Sequence, residues 1–362
     1  MSLFFFILIL VALIVVHELG HFAVAKFFKI RVDEFGVGFP PRLIAKKVGE
    51  TIYSVNLLFF GGFVRIFGEN KSDAGEEPRS FANKSKWIQS AVVAAGILCN
   101  ILFAWLILSV GYMVGLPTSV EHVGIGEVSN PKTLIVGVLP ESPAQKAEMQ
   151  AGSAVVSITT GAGEELIPNS SSEAQNFIKE HQDESLVIKT TTEKGEEKTF
   201  VVKAAEGLVA GKKAVGVQLD DVGLLQLPVH LALIEGAILT WHMTGATAVG
   251  LFDFFSQIFR GIADFNSVAG PIGIADIGAK AVSNGFAAAV SLTALISINL
   301  ALINVLPIPG LDGGRLLVIA IEGITRRTVS ERLMLGLSIG GFGLLILLML
   351  VVSYHDILRL IG

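Results

Sequence analysis

The sequence predicts a multi-span α-helical membrane protein: four transmembrane helices, a membrane-associated β-hairpin loop after the first, and an inserted α+β domain. Three observations carry this expectation. Of 362 residues, 52% are hydrophobic and only 16% charged, where soluble domains carry about a quarter charged residues. Four apolar stretches, near 3–25, 88–115, 287–306 and 333–353, approach the ~20 residues needed to cross a hydrocarbon core. Most of the charge falls in two blocks, near 26–86 and 119–228.

The first stretch lacks the basic leader and small-residue cleavage site of a signal peptide, so it is expected to be a retained span. In the loop behind it, FGVGFPPRL (35–43) and TIYSVNLLFFGGFVRIFGE (51–69) alternate apolar residues with Gly36, Gly38, Gly61 and Gly62. That pattern predicts hairpin strands with tight turns at the glycines. A sheet edge near lipid must be paired or covered, and this one could receive an extended substrate segment. Gly61, Gly62 and Phe63 are therefore substrate-binding candidates.

Between the second span and residue 228, strands are expected near 133–139, 154–160, 185–191 and 198–204. PESPAQKAEMQAGS reads as a turn and a short helix ended by Gly152, and SSSEAQNFIKEHQ as a second helix with a serine N-cap. The expected organisation is 1–118 (first membrane region), 119–207 (α+β domain), 208–282 (linker and amphipathic segment) and 283–362 (second membrane region). The stretch 229–259 holds His230, Glu235, His242 and Asp253, and reads as interfacial or partly inserted.

Orientation follows from the retention of Lys and Arg in cytoplasmic loops. Eleven basic residues lie between the first two spans, and Arg315, Arg326, Arg327 and Arg332 between the last two. Both termini are thus expected outside, along with the 119–228 region and its nine basic and sixteen acidic residues. The overall charge of -5 gives no reason to expect nucleic acid as a partner. Oligomeric state is open.

His17-Glu18-Leu19-Gly20-His21 is an HExxH motif on a predicted helix. Residues four apart share a face, so both imidazoles can grip one zinc ion, and Glu18 beside them is placed as a general base. Charged groups inside a span cost about 2.5–3.5 kcal/mol at mid-helix, so they usually mark function. With Cys99 the sole cysteine, any further ligand must be a carboxylate or histidine. Asp312 is the leading candidate. It follows Pro307, Pro309 and Gly310 at the end of the third span, where the helix must break. His17 lies about 21 Å along the parallel first span, at 1.5 Å per residue, so both sites fall toward the cytoplasmic leaflet. Asn299 and Asn304 either serve a substrate backbone or oxyanion, or tie helices together.

With these motifs the sequence resembles the site-2 protease family, in particular the bacterial branch containing the regulator of sigma-E protease. The likeness rests on HELGH, FGVGF, GGFVRIFGE, GVLPESPAQKAEMQAG, GPIGIA and NVLPIPGLDGG, spread over nearly the whole chain. It implies Zn2+ bound by His17, His21 and Asp312, with Glu18 as catalytic base and Asn304 assisting. It also implies a β-rich loop receiving an unwound substrate helix and an extracytoplasmic PDZ domain within 119–207. The substrates implied are single-span membrane proteins, such as anti-sigma factors and remnant signal peptides, cut in regulated intramembrane proteolysis at the bacterial cytoplasmic (inner) membrane. The chain has room for one PDZ domain where the best-known relative has two. Where such domains commonly read Gly-Leu-x-x-Gly-Asp, it has Glu148-Met149-Gln150-Ala151-Gly152-Ser153. The rival expectations are a non-enzymatic peptide receptor or chaperone, which would not need Glu18, and a transporter, which would be expected to show an inverted repeat.

Overall fold

A computed structural model describes the chain except for residues 70–76, 140, 193–194, 210–211, 263–268, 328 and 362. Lys71 of the first-loop basic set and Pro140 of the PESP turn lie outside the described residues, as do parts of 208–282. In chain order the first elements are α1 (Ser2–Phe27), β1 (Val32–Val48), β2 (Thr51–Ile66) and α2 (Lys86–Val114). Next come β3 (Leu116–Ser119), β4 (Ser129–Val138), α3 (Pro143–Lys146), β5 (Ala154–Thr160), β6 (Glu165–Leu166), α4 (Ser171–Glu180) and β7 (Ser185–Thr191). They are followed by β8 (Glu197–Lys203), β9 (Ala205–Val209), β10 (Lys212–Ala214) and β11 (Val217–Leu225). The rest is helical: α5 (Val229–Arg260), α6 (Pro271–Ser283), α7 (Phe286–Val305), α8 (Asp312–Thr325) and α9 (Glu331–Ile361).

By compactness the chain divides into two units, one of Met1–Gly111 with Gly236–Gly362, the other Tyr112–Glu235. In the first, α1, α2, α7 and the 332–358 portion of α9 are long and apolar enough to cross a membrane. Such helices keep their apolar side chains outward where lipid is the solvent. On α9, Phe342, Leu347 and Leu350 are exposed. The long α5 is not among these spans.

β1 and β2 form the hairpin, but its turn is at Gly49–Glu50, with Val48 opposite Thr51. This corrects the expectation of turns at Gly36, Gly38, Gly61 and Gly62, all of which lie inside the strands. The ribbon folds on itself, so Phe35 lies opposite both Val64 and Tyr53, and Gly36 opposite both Phe63 and Ser54. The first half of β1 is thus paired on both sides, while 62–66 pairs on one side among the described residues. Near its base, Ile30, Val32 and Ile66 pack with Ala25 of α1, Val92 of α2 and Ile319 of α8. At its tip, Glu50 accepts from Lys26 at 2.7 Å and Arg79 at 2.6 Å.

Two helices were not anticipated, α6 and α8. α6 starts on Pro271, whose fixed φ suits a first turn and whose missing N–H costs nothing there. Its Gly278 leaves room for Phe6 of α1. α8 starts on Asp312 itself, directly after Pro307, Pro309 and Gly310 have ended α7. A Cβ on Gly313 would collide with the carbonyl oxygens of Val305 and Leu306, and one on Gly314 with that of Ile308. The paired glycines therefore let α8 turn back against the end of α7, which fixes where Asp312 sits.

The second unit is an antiparallel sheet in the order β3-β11-β4-β5-β7-β8, with β6 on β5. Ile135, Ile158, Leu186, Ile188 and Val202 fill its core beneath Ala174 and Phe177 of α4. Ser170 caps α4, accepting the Glu173 N–H. Asp221 of β11 takes the Ser171 N–H at 2.7 Å and the Thr133 hydroxyl at 2.8 Å. Because β11 pairs with both β3 and β4, the compact unit extends to Glu235 and the expected break at 207/208 falls inside it. The short helix α3 ends at Lys146 rather than Gly152, which follows in a later turn with φ +90°.

The tip contacts make a testable pH prediction. Hydrogen bonds from Arg79 and Lys26 hold the Glu50 carboxyl down at about 2, from an ordinary 4.5. A depressed carboxylate pKa contributes stability that is present above the ordinary value and lost as pH falls through the depressed one. The protection of amides 46–52, their exchange relative to the intrinsic rate at each pH, is therefore expected to hold down to about pH 4 and to fall toward pH 2. Glu50→Gln should show the reduced protection already at pH 7.

Candidate metal centre

One helical turn separates His17 and His21 on α1, and both side chains face α2 rather than lipid, with relative exposures of 7% and 9%. Their Nε2 atoms lie 3.2 Å apart. Asp312, delivered by the α7–α8 break, points Oδ2 at both, 3.0 Å from His17 Nε2 and 3.2 Å from His21 Nε2. Among the described residues this is the one group of three such side chains with ligand atoms close enough for a shared ion.

Proton positions decide what the cluster can hold. His21 Nδ1 lies 2.9 Å from the Val92 carbonyl oxygen, which can only accept, so Nδ1 carries a proton and in the neutral ring Nε2 holds the lone pair. That lone pair faces a buried carboxylate oxygen, which His17 Nε2 also approaches. Two acceptors in contact repel unless a cation lies between them. A tetrahedral zinc site with bonds of about 2.0–2.2 Å places its donors about 3.3–3.6 Å apart, a few tenths of an ångström beyond the separations here. Two imidazoles and one carboxylate, with one position left open, match a catalytic rather than a structural zinc site.

The same three residues line a cavity of about 400 Å³. Glu18 is on its wall, as are Gly61, Gly62, Phe63 and Asn304. Phe63 stacks on Phe39, ring centroids 6.5 Å apart and planes 10° from parallel. Asn299 does not line the cavity; its Nδ2 donates to Leu295 O of its own helix at 2.9 Å. The expectation that Asn299 serves the site is corrected on simple grounds: five residues at 3.6 per turn put it about 140° from Asn304 around α7. Arg315, one turn beyond Asp312, also lines the cavity and pairs with Glu69 at 2.5 Å. Its residue type alone carried no signal for that role.

Gly96 explains how α2 comes so close. A Cβ there would lie 2.4 Å from His21 Nε2 and 2.8 Å from His17 Cε1. Any side chain would occupy the volume the imidazoles need.

Known proteins resemble the chain over nearly its whole length. The profile of peptidase family M50 matches residues 5–348. A candidate zinc metalloprotease of Clostridium perfringens is 30% identical, over 99% of this chain and 99% of its own. One from Nostoc is 33% identical over 96% of this chain and 93% of its own. The zinc metalloprotease RasP of Geobacillus kaustophilus is 27% identical over 98% and 97%.

Gly96→Val is expected to leave the protein in the membrane but to reduce its zinc content to about a tenth or less of wild type, because both imidazoles are displaced. Metal analysis of the purified variant checks this, and wild-type zinc content would contradict it.

Proposed function

The chain belongs to peptidase family M50 and is a zinc metallopeptidase of a membrane, and from that premise we propose that it hydrolyses peptide bonds within transmembrane segments of single-span membrane proteins. One observation carries the reading. Two imidazoles beside Glu18, on a helix apolar enough to span a bilayer, converge with the Asp312 carboxylate to within 3.2 Å. In the proposal His17, His21 and Asp312 hold the zinc and Glu18 is the general base. Bound zinc supplies Lewis acidity, polarising the scissile carbonyl and easing the deprotonation of water.

The chain's own groups do the rest. Glu18 takes the proton from the attacking water and returns it to the departing amine. A helical substrate hides its carbonyls in its own hydrogen bonds, so it must be unwound locally before attack. The one-sided strand at 62–66 offers an edge on which an extended segment can replace those bonds. Gly61, Gly62 and Phe63 bring that edge to the cavity, and in the proposal Asn304, which also lines it, holds a substrate backbone amide. Phe39 and Phe63 keep one wall apolar.

The finer assignments in the proposal rest on charge distribution and likeness. The basic first loop argues for a cytoplasmic face and for both termini outside, at the bacterial cytoplasmic (inner) membrane. The Tyr112–Glu235 unit, an antiparallel sheet with two helices, is then an extracytoplasmic PDZ-type domain that docks or size-selects substrates. Anti-sigma factors and remnant signal peptides, cut in regulated intramembrane proteolysis, are the substrate class in keeping with the site-2 protease resemblance.

Detergent-purified protein and a truncated single-span reporter test this. Glu18→Gln is expected to retain about one zinc while cleavage falls by about 10²–10⁴-fold, the usual worth of a general base. Asp312→Asn should lose most of the metal. Unaltered cleavage by Glu18→Gln would sink the assigned base. A metal-loaded wild type that binds reporters without cutting them would favour a peptide receptor.

A further inference from the structure

Helix α2 presents one stripe to the two histidines. Val92, Gly96 and Asn100 recur every four residues, as His17 and His21 do on α1, and side chains at that spacing share a helix face. Val92 O meets His21 Nδ1 at 2.9 Å. Gly96 leaves the space that the imidazoles fill. One turn further on, the Asn100 side-chain amide lies 3.3 Å from His17 Nδ1. Asn100 is 0% exposed, and its backbone carbonyl accepts the Ser297 hydroxyl of α7 at 2.8 Å.

The two ends of an amide have nearly the same shape, so the surrounding network decides which end meets the ring. With Nδ2 toward His17, Nδ1 must accept, which places the ring proton on Nε2. Nε2 is the atom that faces Asp312 and His21, and a protonated Nε2 cannot bind a metal. The opposite end, Oδ1, has no hydrogen-bond partner, so turning the amide over breaks no bond to the oxygen. Turned, Oδ1 accepts the Nδ1 proton and Nε2 is left with its lone pair.

We propose that Asn100 is a positioning residue for His17: its side-chain oxygen accepts the Nδ1–H, fixing the tautomer and the plane of the ring. The inference rests on the reading of His17, His21 and Asp312 as zinc ligands. It makes α2 a ligand-orienting helix, with Val92 serving His21 through backbone and Asn100 serving His17 through side chain. Ser297 ties that helix at the same residue to α7, the helix whose end delivers Asp312.

The test is zinc affinity of the full-length purified protein, measured by competition with a chelator, with thermal unfolding recorded for each variant. Asn100→Leu keeps the branched shape and removes the acceptor, and loss of such a ligand-orienting bond weakens metal binding by about 10–100-fold. Asn100→Asp keeps an acceptor and is expected to bind zinc at least as tightly as wild type. Wild-type affinity in Asn100→Leu overturns the proposal, and so does equal weakening of both variants, because the amide would then act as a donor or as packing. Where Asn100→Leu does not fold, Asn100→Asp decides alone: tight zinc upholds the acceptor role and weak zinc overturns it. The underlying ligand reading is judged separately, by whether wild type binds about one zinc that His17→Ala abolishes. If that fails, the inference about Asn100 falls with it.

Discussion

Three possible ligand atoms, His17 Nε2, His21 Nε2 and Asp312 Oδ2, are brought within 3.2 Å of one another between apolar helices, and the rest of the membrane unit is arranged around that constraint. With all three unprotonated their repulsion is strong where the dielectric is low, and a cation turns it into attraction. The helical repeat aligns the two imidazoles. Prolines end α7 and a pair of glycines lets α8 fold against it, so the carboxylate arrives at the same level. Gly96 brings α2 close enough to orient the rings.

The hairpin answers a second constraint, that backbone polar groups near lipid need partners. By folding on itself, the ribbon pairs the first half of β1 on both sides and, among the described residues, leaves 44–48 and 62–66 paired on one side each, of which 62–66 lies next to the cavity. The edge that would otherwise be a liability lies where an unwound substrate would need hydrogen bonds. Within the ribbon, Glu34 is buried and accepts from Ser54 and Arg42, each at 2.7 Å. Its burial would raise the carboxyl pKa, but those two partners and the Arg42 and Arg65 charges leave it lowered.

Much of this was legible in the sequence because the signals are local. The four spans follow from length and apolarity. HELGH carries its own geometry, since i and i+4 share a helix face, and the proline–glycine break marked Asp312 as a residue turned out of a regular helix. What escaped depends on contacts distant in the chain. The strand glycines read as turns, whereas Gly36 leaves room for the Phe63 ring and Gly61 for the Phe39 ring, contacts that exist only in the paired structure. β11 joins strands a hundred residues earlier, so the boundary near 207 was set too soon. Asn299 and Asn304 looked equivalent until the pitch of α7 separated them. Gly96 and Asn100 read as ordinary members of an apolar run, although a buried asparagine within a span was itself a signal. Their meaning depends on α2 lying against the HELGH face of α1.

The most direct test of the metal centre is zinc X-ray absorption on the purified wild-type protein. The account predicts about one zinc per chain, with only nitrogen and oxygen neighbours at about 2.0–2.2 Å, including the outer-shell scattering of two imidazoles. A sulfur neighbour at about 2.3 Å would place the ion on Cys99, the chain's single cysteine. That result would contradict a centre built from His17, His21 and Asp312.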